Sequence, residues 1–339
     1  MPPILGGSKV SQLVRRGRSL NCVSNSLELF DVHDQPIVDV ARALRALDPS
    51  GSRWAAVIRH TYDMIYNGQE TGRYRWDELM KTEKTHFGTL FEINAQREFG
   101  FAGGDETDFR IAGHQVDAKW SQSVGGWMLP PEVFDEIALV ATGDDEKSIW
   151  SLGLIRIREE FRREGANRDK KSQLNAVGRE AVQWLWRDAP LRPNALLQLP
   201  REVVNEVFAS KFGTQRTHRL FRAAEGRIVN RNIVATVSRQ LDHQKRVRYN
   251  GGSRSALAPE GYLILSGAYH SALAAALNLP VPLRDEYIST RVVPSEDGSG
   301  VLIAGRWWRK VGTGDVVTEP APRIPEPKSA SEIEGDPLF

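Results

Sequence analysis

The stretch Thr107–Trp120, T-D-F-R-I-A-G-H-Q-V-D-A-K-W, decides how the rest of the chain is read. Thr107 to Ile111 alternates polar and apolar, Ala112 and Gly113 supply a turn, and His114 to Trp120 alternates again, which predicts a β-hairpin. Side chains at i and i+2 share a strand face, so Val116, Ala118 and Trp120 are expected to pack inward while Asp117 and Lys119 project together from the opposite face. Asp108, on the partner strand, reaches the same place. Two carboxylates and an ammonium at one spot are what Mg²⁺-dependent phosphodiester hydrolysis needs: oxygen ligands for a hard cation and a positive charge beside the attacking water. A lone D-x-K is weak, since a chain of this length contains about one by chance.

Working outward, the helix before the hairpin starts near Gly88-Thr89 and places Glu92 among Leu90, Phe91 and Ile93. A carboxylate in an apolar patch is paired, bound to metal, or turned to water on the helix's other face. Asp108 nine residues before Asp117, with Glu92 upstream, reproduces the acidic constellation of the restriction-endonuclease-like fold. Upstream helices are predicted over Pro36–Leu47 and Trp54–Tyr66. Downstream, Ile137–Ala141 and Ser148–Ile157 read as strands, giving an α/β unit with a mixed sheet flanked by helices. Arg158–Lys171 reads as a solvated charge run and Gln173–Trp186 as a closing helix. The seven histidines form no metal-binding pair, and their default roles are structural or solvated.

The 339 residues suit two domains, and 40% hydrophobic with 26% charged residues is an ordinary globular mixture. A single cysteine, Cys22, excludes a disulfide framework and a multi-thiolate zinc site. No apolar run approaches a membrane span and the N-terminus has no signal-like stretch, so the expected location is cytoplasmic, with no membrane partner. The net charge of +2 hides a basic block from Leu191 to Arg254, with 13 Lys and Arg against 4 Asp and Glu. That block points to an anionic partner.

The expected organisation is a flexible arm over 1–26, an endonuclease domain over 27–187, a linker over 188–193, a mainly helical DNA-binding domain over 194–318 and a disordered tail over 319–339. The linker rests on D-A-P-L-R-P, where two prolines interrupt both periodicities. In the second domain, helices are predicted over Pro200–Gly213, Thr214–Ala224 and Asn230–Gln240, the last after the short break Glu225-Gly226, which suggests a helix-turn-helix. Arg231, Asn232 and Arg239 on the last helix suit base edges or phosphates, and Arg216 and Arg219 on the preceding helix join them as DNA-binding candidates. Lys245, Arg246 and Arg248 are expected in a basic strand and wing. Tyr262–Leu277 reads as a helix and Val301–Val317 as a small hairpin carrying Trp307 and Trp308.

The stretch T-G-R-Y-R-W-D-E-L-M-K-T-E-K-T-H-F-G-T-L-F-E-I-N-A-Q-R-E-F, Thr71–Phe99, followed by Thr107–Trp120, resembles the NaeI family of type II restriction endonucleases over nearly the whole chain. The resemblance implies metal-binding acids at Glu92, Asp108 and Asp117, a catalytic lysine at Lys119, and Mg²⁺ as cofactor. It also implies a second domain with a winged helix-turn-helix like that of catabolite activator protein. Further implications are a GCCGGC-like palindromic site in double-stranded DNA, a homodimer, and activation by a second bound copy of the site, so that a dimer holds two duplexes. Two other functions fit parts of the sequence. A helix-turn-helix regulator without cleavage accounts for the basic block, and a repair or nicking nuclease shares the acids and lysine.

Overall fold

The computed structural model describes residues 34–165 and 171–324. The expected N-terminal arm, and the tail beyond residue 324, lie outside the described residues. Helix α1 (Gln35–Leu47) opens on Asp34, whose carboxylate accepts from the Ile37 amide at 3.3 Å, with Pro36 in the first turn. In α2 (Ser52–Tyr66) that role falls to Asp48, which accepts from the amides of Arg53 and Trp54 at 2.9 and 3.0 Å. Gly51, at φ 77°, makes the entry turn; a Cβ there would sit 2.8 Å from Cδ1 of Trp186, so glycine is required both by angle and by space. The short α3 (Gly68–Thr71) follows, then α4 (Lys81–Phe99).

The expected hairpin is present as β1 (Phe109–Ile111) and β2 (His114–Ser121). Ile111 pairs with His114, and the two-residue turn has Ala112 and Gly113 at φ 51° and 84°, the left-handed pair that matches strand twist. β2 runs parallel to β3 (Ile137–Asp144), which pairs antiparallel with β4 (Ile149–Arg156). The short α5 (Ala176–Glu180) precedes β5 (Gln183–Pro190), which closes a mixed sheet of order β1-β2-β3-β4-β5. One face carries Val116, Ala118, Leu139, Ala141, Leu152 and Leu154 against the Trp54, Tyr62, Phe87 and Phe91 side chains of α2 and α4. The other is covered by Trp127, Leu129 and Leu174 over Ala138, Val140 and Ile155.

Two expectations fail here. Gln173–Trp186 is not one helix: Trp184 to Trp186 lie in β5, because the outer edge of β4 needs a hydrogen-bonding partner that a helix cannot supply. Asp188 to Pro190, expected in the linker, belong to the same strand.

The second half begins with α6 (Arg201–Phe208) and α7 (Gly213–Ala223), so the helix expected over Pro200–Gly213 stops early. A strand, β6 (Ile228–Asn230), then intervenes before α8 (Arg231–Ser238), where a bare turn between helices was expected. Lys245 and Arg246 lie in a 3₁₀ turn, not a strand, ahead of α9 (Ser253–Leu257). The run Tyr262–Leu277 divides into β7 (Tyr262–Ser266) and α10 (Ser271–Ala276), because Leu263 to Leu265 pair with β8 (Glu286–Pro294). β8 also pairs with β6 and with β10 (Arg306–Lys310), which forms the expected hairpin with β9 (Val301–Ile303). The first residues of the expected disordered tail are docked. Glu319 pairs with Arg306, Ala321 donates to the Ala258 carbonyl at 2.8 Å, and Ala321 and Ile324 are buried in the core of this second sheet.

Candidate active site and nucleic-acid interface

Strand alternation delivers the expected split along β2. Val116 and Ala118 are fully buried on the helix-covered face, and Trp120 packs at the edge of the same core. Asp117 and Lys119 stand on the opposite side, opposite Ala138 and Val140 of β3. They form an ion pair between Oδ2 and Nζ, and Nζ also lies 3.2 Å from the Ala118 carbonyl oxygen. Because Phe109 pairs with Val116, the register continued by one residue sets Asp108 opposite Asp117. Asp108 Oδ2 accepts from the Ala118 amide at 2.7 Å, which ties it to the backbone between Asp117 and Lys119.

Glu92 completes the group from α4. Burial, and next the negative charge of Asp108, push its carboxyl up to about 7; Lys119 opposes the rise and Asp117 adds to it. All four side chains therefore share one electrostatic field. They do not yet form a closed cage: among the described residues, no three His, Cys, Asp or Glu side chains converge as a ready metal site. The donor chemistry fits a hard divalent cation all the same. Three carboxylates share the site, and burial of Glu92 together with the charge of Asp108 holds its proton up to about pH 7, a penalty that a cation there would relieve.

The backing of this site was not read from the sequence. Trp120 stacks on Phe87 of α4 at 4.4 Å and meets Tyr62 of α2 edge-on at 6.1 Å, while the Tyr62 hydroxyl donates to the Gly143 carbonyl at 2.8 Å. Behind it, Arg59 is buried between Asp63 and Asp145. Arg59 and Asp63 stand four residues apart on a predicted helix, a signal that was available in the sequence.

The DNA-binding candidates are scattered. Arg216 donates to the carbonyls of Val237 and Ser238 at 2.5 and 2.7 Å and so clasps the end of α8. Arg219 donates to the Glu206 carbonyl, and Arg246 is paired with Asp242 through a single Nη2. Asn232 and Arg239 are engaged with the first half of the chain, at Asp63 and at the Glu70 carbonyl. Arg231 stands 3.8 Å from Asp285 and Lys245 3.9 Å from Asp242, both loose and exposed pairs, and Arg248 is exposed. A cleft of about 850 Å³ lies between the two halves along Asp63, Arg231 and Asn232, away from Glu92 and Asp117. Among the described residues no helix is long and apolar enough to cross a membrane.

The chain is similar to known proteins along most of its length. The family model for restriction endonuclease NaeI matches residues 38–319. The type II restriction enzyme NaeI of Lentzea aerocolonigenes is 44% identical over 312 residues, covering 89% of this chain and 98% of that protein. The match spans both sheets and all four residues of the acidic site, and the chain belongs to the NaeI family of type II restriction endonucleases.

Proposed function

We propose that this site-specific deoxyribonuclease hydrolyses double-stranded DNA with Mg²⁺ at the Glu92, Asp108, Asp117 and Lys119 site. The observation that carries the reading is the joint placement of Asp108 and Lys119 around the Ala118 peptide, with Asp117 beside them and Glu92 held in their field. A bound divalent cation supplies a Lewis-acid contact to the phosphate and an acidified water. Asp117 would turn from Lys119 toward the cation, and Asp108 is already oriented by the Ala118 amide. Lys119, released from Asp117, presents its ammonium to the phosphoryl oxygen on which charge accumulates. Glu92, in the same field as Asp108 and Asp117, would help hold the cation.

The first sheet with its helices is proposed as the nuclease unit and the chain beyond β5 as the second DNA-binding unit. The alternation of α7, β6, α8, α9, β7 and β8, with β8 between β6 and β7, supports a winged-helix reading of the latter. A homodimer reading a palindromic, GCCGGC-like site, with a second duplex acting as activator, is proposed from the family resemblance. Incubating supercoiled plasmid with protein and Mg²⁺ and sequencing the ends tests the whole reading. Linear product with one palindrome at its ends supports it. Open circles alone would indicate a nicking enzyme, and no cleavage a DNA-binding regulator.

A further inference from the structure

Helix α8 carries the residue types of a DNA reader, yet Asn232, Thr236 and its C-cap Arg239 meet the first half of the chain, while Ile233, Val234 and Val237 pack in the core of the second. Asn232 Nδ2 donates to Asp63 Oδ2 at 2.7 Å. Arg239, the left-handed C-cap of α8 at φ 53°, donates to the Glu70 carbonyl at 2.7 Å. Between these contacts Thr236 lies directly on Gly68: a Cβ there would overlap Thr236 Oγ1 and stand 2.8 Å from its Cγ2 and 2.9 Å from the Arg73 carbonyl oxygen. Every residue from Ile233 to Ser238 is buried. A reading helix must offer its polar side chains to a groove, whereas Asn232 and Arg239, though exposed, are already engaged with the first half of the chain.

The contact continues inward. Asp63 pairs with Arg59 at 3.1 Å, and Arg59 and Tyr66 both reach Asp145, just beyond β3, at 3.2 and 2.9 Å. Tyr62 on the same helix holds Gly143 and borders Trp120, whose neighbour in sequence is Lys119. One helix, α2, thus touches α8 on one side and the backing of the acidic site on the other.

We propose that α8 is a docking helix, and that Arg59, Asp63 and Asn232 form a positioning joint that sets the second half of the chain against the helix backing Trp120 and Lys119. The docking rests on contacts alone, whereas its effect on cleavage rests on the nuclease reading above.

Gly68→Ala drives a methyl group into Thr236, and adding Thr236→Ala removes the two side-chain atoms it strikes while leaving the 2.9 Å approach to the Arg73 carbonyl oxygen, so the double variant should recover in part. In the full chain without DNA, hydrogen exchange across 231–238 should rise about tenfold or more in Gly68→Ala, with β7 unchanged, and return in part in the double variant. On plasmid, Gly68→Ala should lower kcat while KM stays within about twofold, with partial recovery in the double variant. Unchanged exchange in Gly68→Ala, or a rise spread over both halves, overturns the joint. Faster exchange with kcat unchanged overturns the positioning role. Relaxed base preference in Asn232→Ala would make α8 a reader and overturn the docking assignment. The exchange measurement needs no cleavage, so its failure is distinct from failure of the nuclease reading, which Asp117→Ala tests.

Discussion

Glu92 should make the protein less stable than it need be, and the size of the effect follows from its surroundings. Its carboxyl is raised from the usual 4.5 to about 7, so the fold prefers the neutral form. In free energy that displacement is worth ~3 kcal/mol at 1.36 per decade, and because the side chain is only partly buried, solvent screening brings it to ~1–2 kcal/mol. The sign follows from linkage. The folded chain binds the Glu92 proton more tightly than the unfolded one, so this contribution is fully present below pH 4.5 and is lost as pH rises to about 7. At pH 8 the charged carboxylate faces Asp108 and Asp117 with only Lys119 to offset it. Glu92→Gln, which mimics the neutral form, should therefore stabilise the metal-free protein by ~1–2 kcal/mol at pH 8 and have little effect near pH 4.5. Urea unfolding of both proteins at the two pH values measures this. Added Mg²⁺ should raise wild-type stability at pH 8 more than that of the variant, since a cation relieves the crowding that glutamine has already removed. A Glu92→Gln protein less stable than wild type at pH 8, or equally stabilised at both pH values, would refute the shared-field account of the site.

Other expectations are shorter to state. Asp117→Ala and Lys119→Ala should each cut plasmid cleavage by ~10²-fold or more, while DNA binding measured in Ca²⁺ persists, since contacts to the phosphate backbone elsewhere dominate affinity. Asp145→Ala leaves the buried Arg59 with Asp63 as its remaining acid and should cost ~3 kcal/mol in chemical unfolding. Ile324→Ala should cost ~2 kcal/mol or more, a loss that a disordered tail would not register. Full-chain binding to duplex should weaken steeply between 50 and 200 mM salt, and Arg248→Ala, at an exposed position, should flatten the slope; a salt-independent affinity would remove the basic block from the interface.

The hairpin and the placing of Asp108, Asp117 and Lys119 together were legible because strict alternation is the strongest short-range signal a strand can give, and the turn residues at 112 and 113 fixed its register. Glu92 was legible as an acid on a helix, but its raised proton affinity depends first on burial by the packed sheet and then on Asp108 and Asp117 arriving from elsewhere. β5 was misread because Val182-Gln183-Trp184-Leu185-Trp186 is a short apolar run that helix and strand share, and the exposed edge of β4 decided between them. The same ambiguity hid β7, which only β8 reveals as a strand. α8 lies close to its expected bounds, and its Asn232 and Arg239 also meet the first half of the chain. Asn, Thr and Arg suit a protein joint as well as a base edge, and only tertiary contact distinguishes them. Ala321 and Ile324 were lost in a proline-rich composition, where two buried side chains are too few to alter the reading.

The joint at Asp63 has a consequence for the order in which the molecule is made. The strands of the first sheet are neighbours in sequence as well as in space, so it can close once β5 has left the ribosome. Asn232 lies 42 residues beyond Pro190, the end of β5, a delay of roughly 2 to 8 s at ordinary rates of synthesis. During that interval the acids and the lysine are assembled, but α2 faces water where α8 will dock. If the joint positions Lys119, a nascent chain does not yet cut the DNA around it, and the nuclease is armed by its own completion.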